Sequence, residues 1–263
     1  MVTCYATKRK ITTQYPYEYV KSTNIHIQKE TAMTVNTQHN NKASTGTSNY
    51  YDADYFDWQK NIGAFGGWAN AYKFKNSISQ NDTVIDFGCG GGFLLKDLDC
   101  KNRIGIEPNP TAAESVKKLG IQHFSSPIDA VNNLGECVAD IIVSNNALEH
   151  TLNPLQELKN LKSLLKIGGT IHFVVPCDSI NYDYNPKDIN YHLFSWSPQN
   201  LGNLFTEAGY SVEYVRPYIH KWPPFYSKIA KLGWPIFNIA CRIYGRIERS
   251  WFQVEIIAKK ITP

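Results

Sequence analysis

The chain has 263 residues, 43% of them hydrophobic and 19% charged, enough for one sizeable α/β domain with accessory segments and short for two full domains. A formal charge of +4 is only mildly basic and lacks the dense basic face of a nucleic-acid binder, so no nucleic-acid partner is expected. Six scattered cysteines without a CxxC pair speak against a zinc site or disulfide framework, and neither an apolar leader nor a run of about 18 apolar residues is seen; reduced thiols in a cytoplasmic protein, at most peripheral to a membrane, are expected.

Residues 1–48 are rich in Thr, Asn, Gln and Ser and lack sustained apolar periodicity. Such a segment buries too little apolar surface to offset the entropy of ordering, so it reads as a mobile polar N-terminal extension. Residues 49–81 are aromatic and rich in small side chains. Their spacing predicts cap helices, broken near Gly63, Gly66 and Gly67. From residue 82 the texture changes to strands alternating with helices. Strands are predicted at 83–87, 103–107, 121–124, 139–144, 170–176, 210–217 and 251–260. Helices are predicted at 93–98, 111–119, 154–166 and 198–208, with Gly168-Gly169 stopping the third of these. This alternation predicts a Rossmann-like α/β fold: a seven-stranded, mostly parallel sheet with helices on both faces and an antiparallel last strand. Residues 82–219 and 250–263 would form that domain. Residues 220–249 interrupt it with aromatic side chains interleaved with lysines and arginines, the texture of a lid, a dimer face or a membrane-interface segment.

The densest chemical signal is Asp86-Phe87-Gly88-Cys89-Gly90-Gly91-Gly92, placed after a strand and before a helix. Glycines there let the backbone turn tightly and approach a ligand closely. A dinucleotide fingerprint starting at Gly88 would place its third glycine where Phe93 stands, which weakens a pyrophosphate reading. Glu107 ends the second strand, where a carboxylate can accept both ribose hydroxyls of an adenosine.

Together with Gly105-Ile106-Glu107-Pro108, the run from Ala139 to His150, and Leu165-Lys166-Ile167-Gly168-Gly169-Thr170-Ile171-His172, this motif resembles the class I S-adenosylmethionine-dependent methyltransferases. In detail it is similar to the branch that includes quinone-biosynthesis and sugar or polysaccharide methyltransferases, over residues 82–215 and the last strand. The resemblance implies S-adenosylmethionine as cofactor and a small-molecule acceptor, with methyl transfer to a hydroxyl of a sugar, glycan or lipid-linked intermediate. It places Gly88, Cys89 and Gly90 along the methionine part, with Asp86 orienting its ammonium. Glu107 would hold the ribose, with Pro108, Ser126 and Ile128 bordering the adenine, and Asn145 and Ala147 would face the methionine end and the acceptor. Peripheral membrane contact through 220–249 would favour a lipid-type acceptor.

A hydroxyl acceptor benefits from a base, and neutral histidine suits that task near pH 7. His150, beyond strand four, and His192, in the loop after strand five, are the candidates; each also has a structural reading, as helix cap or loop anchor. His172 reads as a sheet residue. Tyr51, Tyr55 and Trp68 would line an acceptor pocket or simply pack. No metal is expected, because no clustered Asp or His ligands follow strand four in sequence. Two rivals remain: a nicotinamide-dependent oxidoreductase on a similar sheet, and a non-catalytic S-adenosylmethionine-binding protein. A nucleic-acid acceptor is not expected, since Asn145-Asn146-Ala147-Leu148 stands where adenine methylases carry Asn/Asp-Pro-Pro-aromatic. Oligomeric state is not written in any of these motifs.

Overall fold

A computed structural model of the chain describes residues 53–262 apart from 187 and 189, with side chains from residue 63 onward. The expected extension at 1–48, Tyr51 and the side chain of Tyr55 lie outside the described residues.

One sheet of seven strands organises the fold, in the order β3-β2-β1-β4-β5-β7-β6. The strands are β1 (Thr83–Phe87), β2 (Asn102–Ile106), β3 (Gln122–Phe124), β4 (Ala139–Asn145), β5 (Leu165–Cys177), β6 (Ser211–Tyr218) and β7 (Phe252–Lys259). β1 to β5 pair in parallel, and β7 runs antiparallel between β5 and β6. The helices are α1 (Ala53–Phe74), α2 (Phe93–Lys96), α3 (Pro110–Lys118), α4 (Pro127–Leu134), α5 (Pro154–Leu164), α6 (Pro198–Glu207), α7 (Tyr226–Ala230) and α8 (Trp234–Ile247).

Four helices start on the same local device, a polar cap followed by proline: Asn109-Pro110, Ser126-Pro127, Asn153-Pro154 and Ser197-Pro198. In each the cap side chain accepts from a backbone N–H of the first turn, and proline fills a position whose own N–H would have no helical partner. Ser197 and Asn200 close a reciprocal capping box.

Side chains alternate across the sheet. Ile85, Phe87, Ile142 and Phe173 face a core completed by Leu158, Leu161 and Phe205 of α5 and α6. Val84, Ile141, Val143 and Val174 face the opposite core, with Phe74, Leu95 and Val116 of α1, α2 and α3. Burial on both faces explains why these strands read as nearly continuous apolar runs. Strand order reverses direction between β1 and β4, and such a switch point opens a crevice at the carboxyl ends of the strands.

Three predicted features differ from the observed ones. α1 is unbroken over 22 residues. Its glycines serve close approach instead: a Cβ on Gly67 would lie 2.4 Å from the backbone C and O of Phe93, and one on Gly63 would lie 2.5 Å from the Phe93 ring. α5 ends at Leu164, before Gly168-Gly169, which sit inside β5; Leu165 leaves the helix with ψ 135° and begins the strand. α4 was not predicted, although Ser126-Pro127 announces it. Among the described residues no helix is long and apolar enough to cross a membrane.

Candidate active site

After β1 the chain turns through three left-handed glycines, Gly88 (φ +73°), Gly90 (φ +50°) and Gly92 (φ +78°). Only glycine adopts that backbone without strain. The N–H groups of Gly88 and Cys89 donate to the Ile106 carbonyl at 2.9 and 3.2 Å, which ties the turn to the end of β2. A Cβ on Gly88 would lie 2.2 Å from the Ala147 Cβ, so this turn also touches the segment leaving β4.

Glu107 closes the crevice from β2. Its two carboxylate oxygens accept from the N–H groups of Gly90 and Asn109, both at 2.9 Å. Burial raises its pKa, and those two hydrogen bonds oppose the shift. Asp86 is 2% exposed, takes no hydrogen bond or salt bridge from the described residues, and is pushed well up, first by burial and then by the charge of Glu107. A buried carboxylate beside a half-buried one, with no basic salt-bridge partner among the described residues, is electrostatically incomplete. A cationic ligand that also offers hydroxyl donors completes the pair, and S-adenosylmethionine has an ammonium, a sulfonium and a ribose diol.

The remaining residues expected around the donor spread along the same edge. Ser126 is committed to capping α4, where its hydroxyl accepts from the Asp129 N–H at 3.1 Å. Ile128 and Pro108 are exposed beside the ends of β3 and β2. Cys89 packs against Gly105, where an added Cβ would meet its Sγ at 2.6 Å; burial pushes its thiol up and keeps it neutral. Asn145 accepts from the Lys73 ammonium at 2.8 Å, and Lys73 also donates to Gln253 at 3.0 Å. Lys73, at the end of α1, had drawn no notice in sequence because its partners lie far along the chain.

A second group of side chains gathers beyond β4. Glu149 and His150 belong to a short 3-10 turn, Leu148–His150. The loop after β5 is clamped onto that turn by the N–H groups of Leu193 and Phe194, which donate to the Glu149 carbonyl at 3.0 and 3.2 Å. This brings the His192 ring to 5.1 Å from that of His150, centroid to centroid. His150 Nε2 lies 3.7 Å from Glu149 Oε1, and His192 Nδ1 pairs with Asp178 Oδ2 at 3.1 Å. Glu149 is fully buried, and neither carboxylate oxygen has a hydrogen-bond partner among the described residues.

Burial pushes Glu149 up to about 8 and, aided by the His192 charge, pushes His150 down to about 4. Burial pulls His192 down, but the Asp178 hydrogen bond and the neighbouring carboxylates outweigh it and leave the ring raised. The premise that no ligand-type residues cluster here fails. One donor atom from each of Glu149, His150 and His192 lies within 4.8 Å of the others, a grouping the loop creates and local sequence hides. His172 is structural as expected, held between Glu255 and Ser77 at 3.1 and 2.9 Å. Trp68 packs against Phe237 and Trp234, with ring centroids 5.3 and 5.7 Å apart, and is half-buried.

The 220–249 segment forms α7 and α8. The buried side of α8 presents Phe237 and Cys241, which share an aromatic cluster with Phe65 and Trp68 of α1. Its outer side exposes Ile236, Ile239, Ile243 and Ile247 at a three- and four-residue spacing, beside exposed Phe225 and Leu232. Lys228, Lys231, Arg242, Arg246 and Arg249 are also exposed there.

A sheet in this order, with a glycine turn after β1 and a carboxylate after β2, defines the α/β fold of class I S-adenosylmethionine-dependent methyltransferases. Over residues 51–215 the chain matches the family described as "Methyltransferase domain", and it belongs to that family. It is 23% identical over 168 residues to an uncharacterized methyltransferase of Schizosaccharomyces pombe, covering 53% of this chain and 63% of that one. It is also 23% identical over 184 residues to a ubiquinone biosynthesis O-methyltransferase of Cereibacter sphaeroides, covering 64% of this chain and 66% of the relative. The chain thus spans just under two thirds of both relatives. Phosphoethanolamine N-methyltransferase 2 of Haemonchus contortus, solved with S-adenosyl-L-methionine, superposes with a TM-score of 0.59 at 12% identity over 84% of this chain and 61% of that one.

Proposed function

We propose that the protein transfers a methyl group from S-adenosylmethionine to a hydroxyl of a small-molecule acceptor, a sugar, glycan or lipid-linked intermediate. The single observation that carries this reading is the buried Asp86 carboxylate next to the half-buried Glu107, beside the Gly88–Gly90 turn at the switch point of the sheet.

The cofactor supplies an electrophilic methyl: its S–C bond breaks as the acceptor's O–C bond forms, and the hydroxyl proton leaves to a base or to water. The chain's share is mostly alignment, because an in-line displacement gains most from a fixed geometry. Asp86 holds the ammonium. The Gly88, Cys89 and Gly90 backbone would line the methionine part, and the Glu107 carboxylate would accept from the ribose hydroxyls. Pro108, Ser126 and Ile128 border the adenine. Asn145, oriented by Lys73, and Ala147 border the reacting end. His150 and His192 act on the acceptor hydroxyl from the turn after β4 and the loop clamped over it. The exposed isoleucine row of α8 with its flanking cations supports membrane-peripheral work on a lipid-type acceptor.

Calorimetric titration with S-adenosylhomocysteine tests the reading. Glu107→Ala removes a charged acceptor worth about 1.5–3 kcal/mol, so affinity should fall about 10- to 100-fold. Unchanged affinity would remove Glu107 from the site. Thermal stabilisation by NAD and not by S-adenosylhomocysteine would replace the reading with the oxidoreductase one. Tight donor binding without a labelled product from fractionated cell extract would favour a non-catalytic binder.

A further inference from the structure

We propose that Glu149, His150 and His192 form a binding site for one divalent d-block cation of the zinc–manganese class. Three observations lead there, and the first is the state of Glu149. Its carboxylate is fully buried, and neither oxygen is hydrogen-bonded among the described residues. Folded proteins rarely leave a buried polar atom without a partner, because the lost hydration has no replacement. A cation beside Glu149 supplies one.

The second observation is the donor set. One carboxylate oxygen and two imidazole nitrogens lie within 4.8 Å of one another. Ligand distances of about 2.0–2.2 Å require this group to close by roughly an ångström, within reach of ring and carboxylate rotations. Imidazole nitrogens select d-block cations over magnesium or calcium, which prefer oxygen donors throughout. Three protein ligands leave coordination positions open, the pattern of a working site rather than a structural one.

The third observation lies one layer out. His192 Nδ1 pairs with Asp178 Oδ2 at 3.1 Å, so a cation held by this ring would sit on Nε2. The Asp178 N–H donates to Ser195 Oγ at 2.8 Å, fixing that carboxylate's segment to the same loop. Metal-binding histidines are oriented in this manner by a carboxylate on the far ring nitrogen.

The site's use rests on the methyltransferase reading. Glu149 follows two residues after Ala147, which abuts the Gly88 turn, so the cluster sits at the edge where donor and acceptor meet. A cation in it would take the acceptor oxygen in an open position and lower the hydroxyl's pKa, with the proton released to water. His150 and His192 would then act through the cation, not as free bases.

The test uses the full-length protein stripped with chelator, then titrated with Zn2+ and, separately, with Mn2+ followed by electron paramagnetic resonance. One cation per chain is expected. Asp178→Asn should weaken binding about 10- to 100-fold, and His192→Ala at least as much. His192 lies on a loop, so its variant should keep the parent's circular dichroism, whereas Glu149→Gln risks the fold and serves only as support. No bound cation in the parent, or His192→Ala binding as tightly as the parent, overturns the proposal. S-adenosylhomocysteine titrations on the same samples separate the two readings. Loss of the cation with the nucleoside still bound refutes the metal site alone, and a bound cation without nucleoside binding refutes the donor site alone.

Discussion

Lys73 shows how one residue's environment becomes a property of the whole fold. Its ammonium is buried at the end of α1 between the Asn145 and Gln253 side-chain oxygens. Burial pulls its pKa down to about 7, against the opposing pull of Glu255 and Cys241, while the unfolded chain keeps the ordinary 10.5. Between those two values the unfolded chain binds the extra proton, so this group makes stability rise with pH. The slope there approaches about 1.4 kcal/mol per pH unit. Below pH 7 both states are charged, and the contribution is flat and unfavourable. Lys73→Met removes the titration. In urea melts the stability of the parent relative to the variant should climb steadily between about pH 7 and 10. A difference that stays constant across that range would mean that Lys73 remains charged in the folded protein. The same hydrogen bonds fix the Asn145 side chain at the reacting end of β4, so this residue joins stability to the geometry of the site.

Among the elements, α1 carries the sharpest contrast. Gly66 and Gly67 are neighbours, yet a Cβ on Gly66 would meet nothing nearer than the Trp222 ring at 3.8 Å, while one on Gly67 would strike the Phe93 backbone at 2.4 Å. Gly66→Ala should therefore stabilise the protein by up to about 1 kcal/mol, since alanine loses less backbone freedom in a helix. Gly67→Ala should cost about 1–3 kcal/mol, because backbone cannot rotate out of the way as a side chain can. Thermal melts of the two variants should move in opposite directions. Equal shifts would mean that α1 does not lie against Phe93.

The same pair explains what sequence reveals and what it hides. Propensity treats a glycine cluster in a helix as a break, whereas the close approach of two backbones depends on a partner far along the chain. Strand positions and helix starts were readable because alternation and the Asn/Ser-Pro caps are local. The juxtaposition of Asp86, Gly88, Gly90 and Glu107 was readable for that reason too, because they lie on consecutive strand ends. α4 escaped although its cap is plain, because it is only eight residues long and buries only Pro127 and Ala130 fully, too short a stripe to show as a period. Asp178 and the pairing of His150 with His192 escaped because a loop without periodicity carries two of the three, and it is tertiary bonds such as those of Leu193 and Phe194 to Glu149 that bring them in.

At the scale of the molecule, charge is unevenly placed. Residues 219–249 hold six Lys/Arg against one Glu, a net +5, while the entire chain carries +4. That one glutamate, Glu248, pairs with Lys221. The basic excess thus sits on and just beside α7 and α8, around an outward row of isoleucines in which Ile247 is 76% exposed. Water disfavours so continuous an apolar row, and a neutral protein partner would not call for the surrounding cations. An anionic bilayer would satisfy both, taking the isoleucines among its acyl chains and the cations at its headgroups, at about 1 kcal/mol per cation. Co-sedimentation with phosphatidylserine-containing vesicles should therefore succeed at low salt and weaken as salt shortens the electrostatic range. Replacing Lys228, Lys231, Arg242 and Arg246 with Gln should reduce binding about a hundredfold or more. Ile239→Glu with Ile243→Glu should abolish it without lowering Tm, because both side chains face solvent. A parent protein that ignores these vesicles, or that binds neutral ones equally well, would end the bilayer assignment. A dimer in solution that Ile243→Glu dissolves would give the same face to a second copy of the chain.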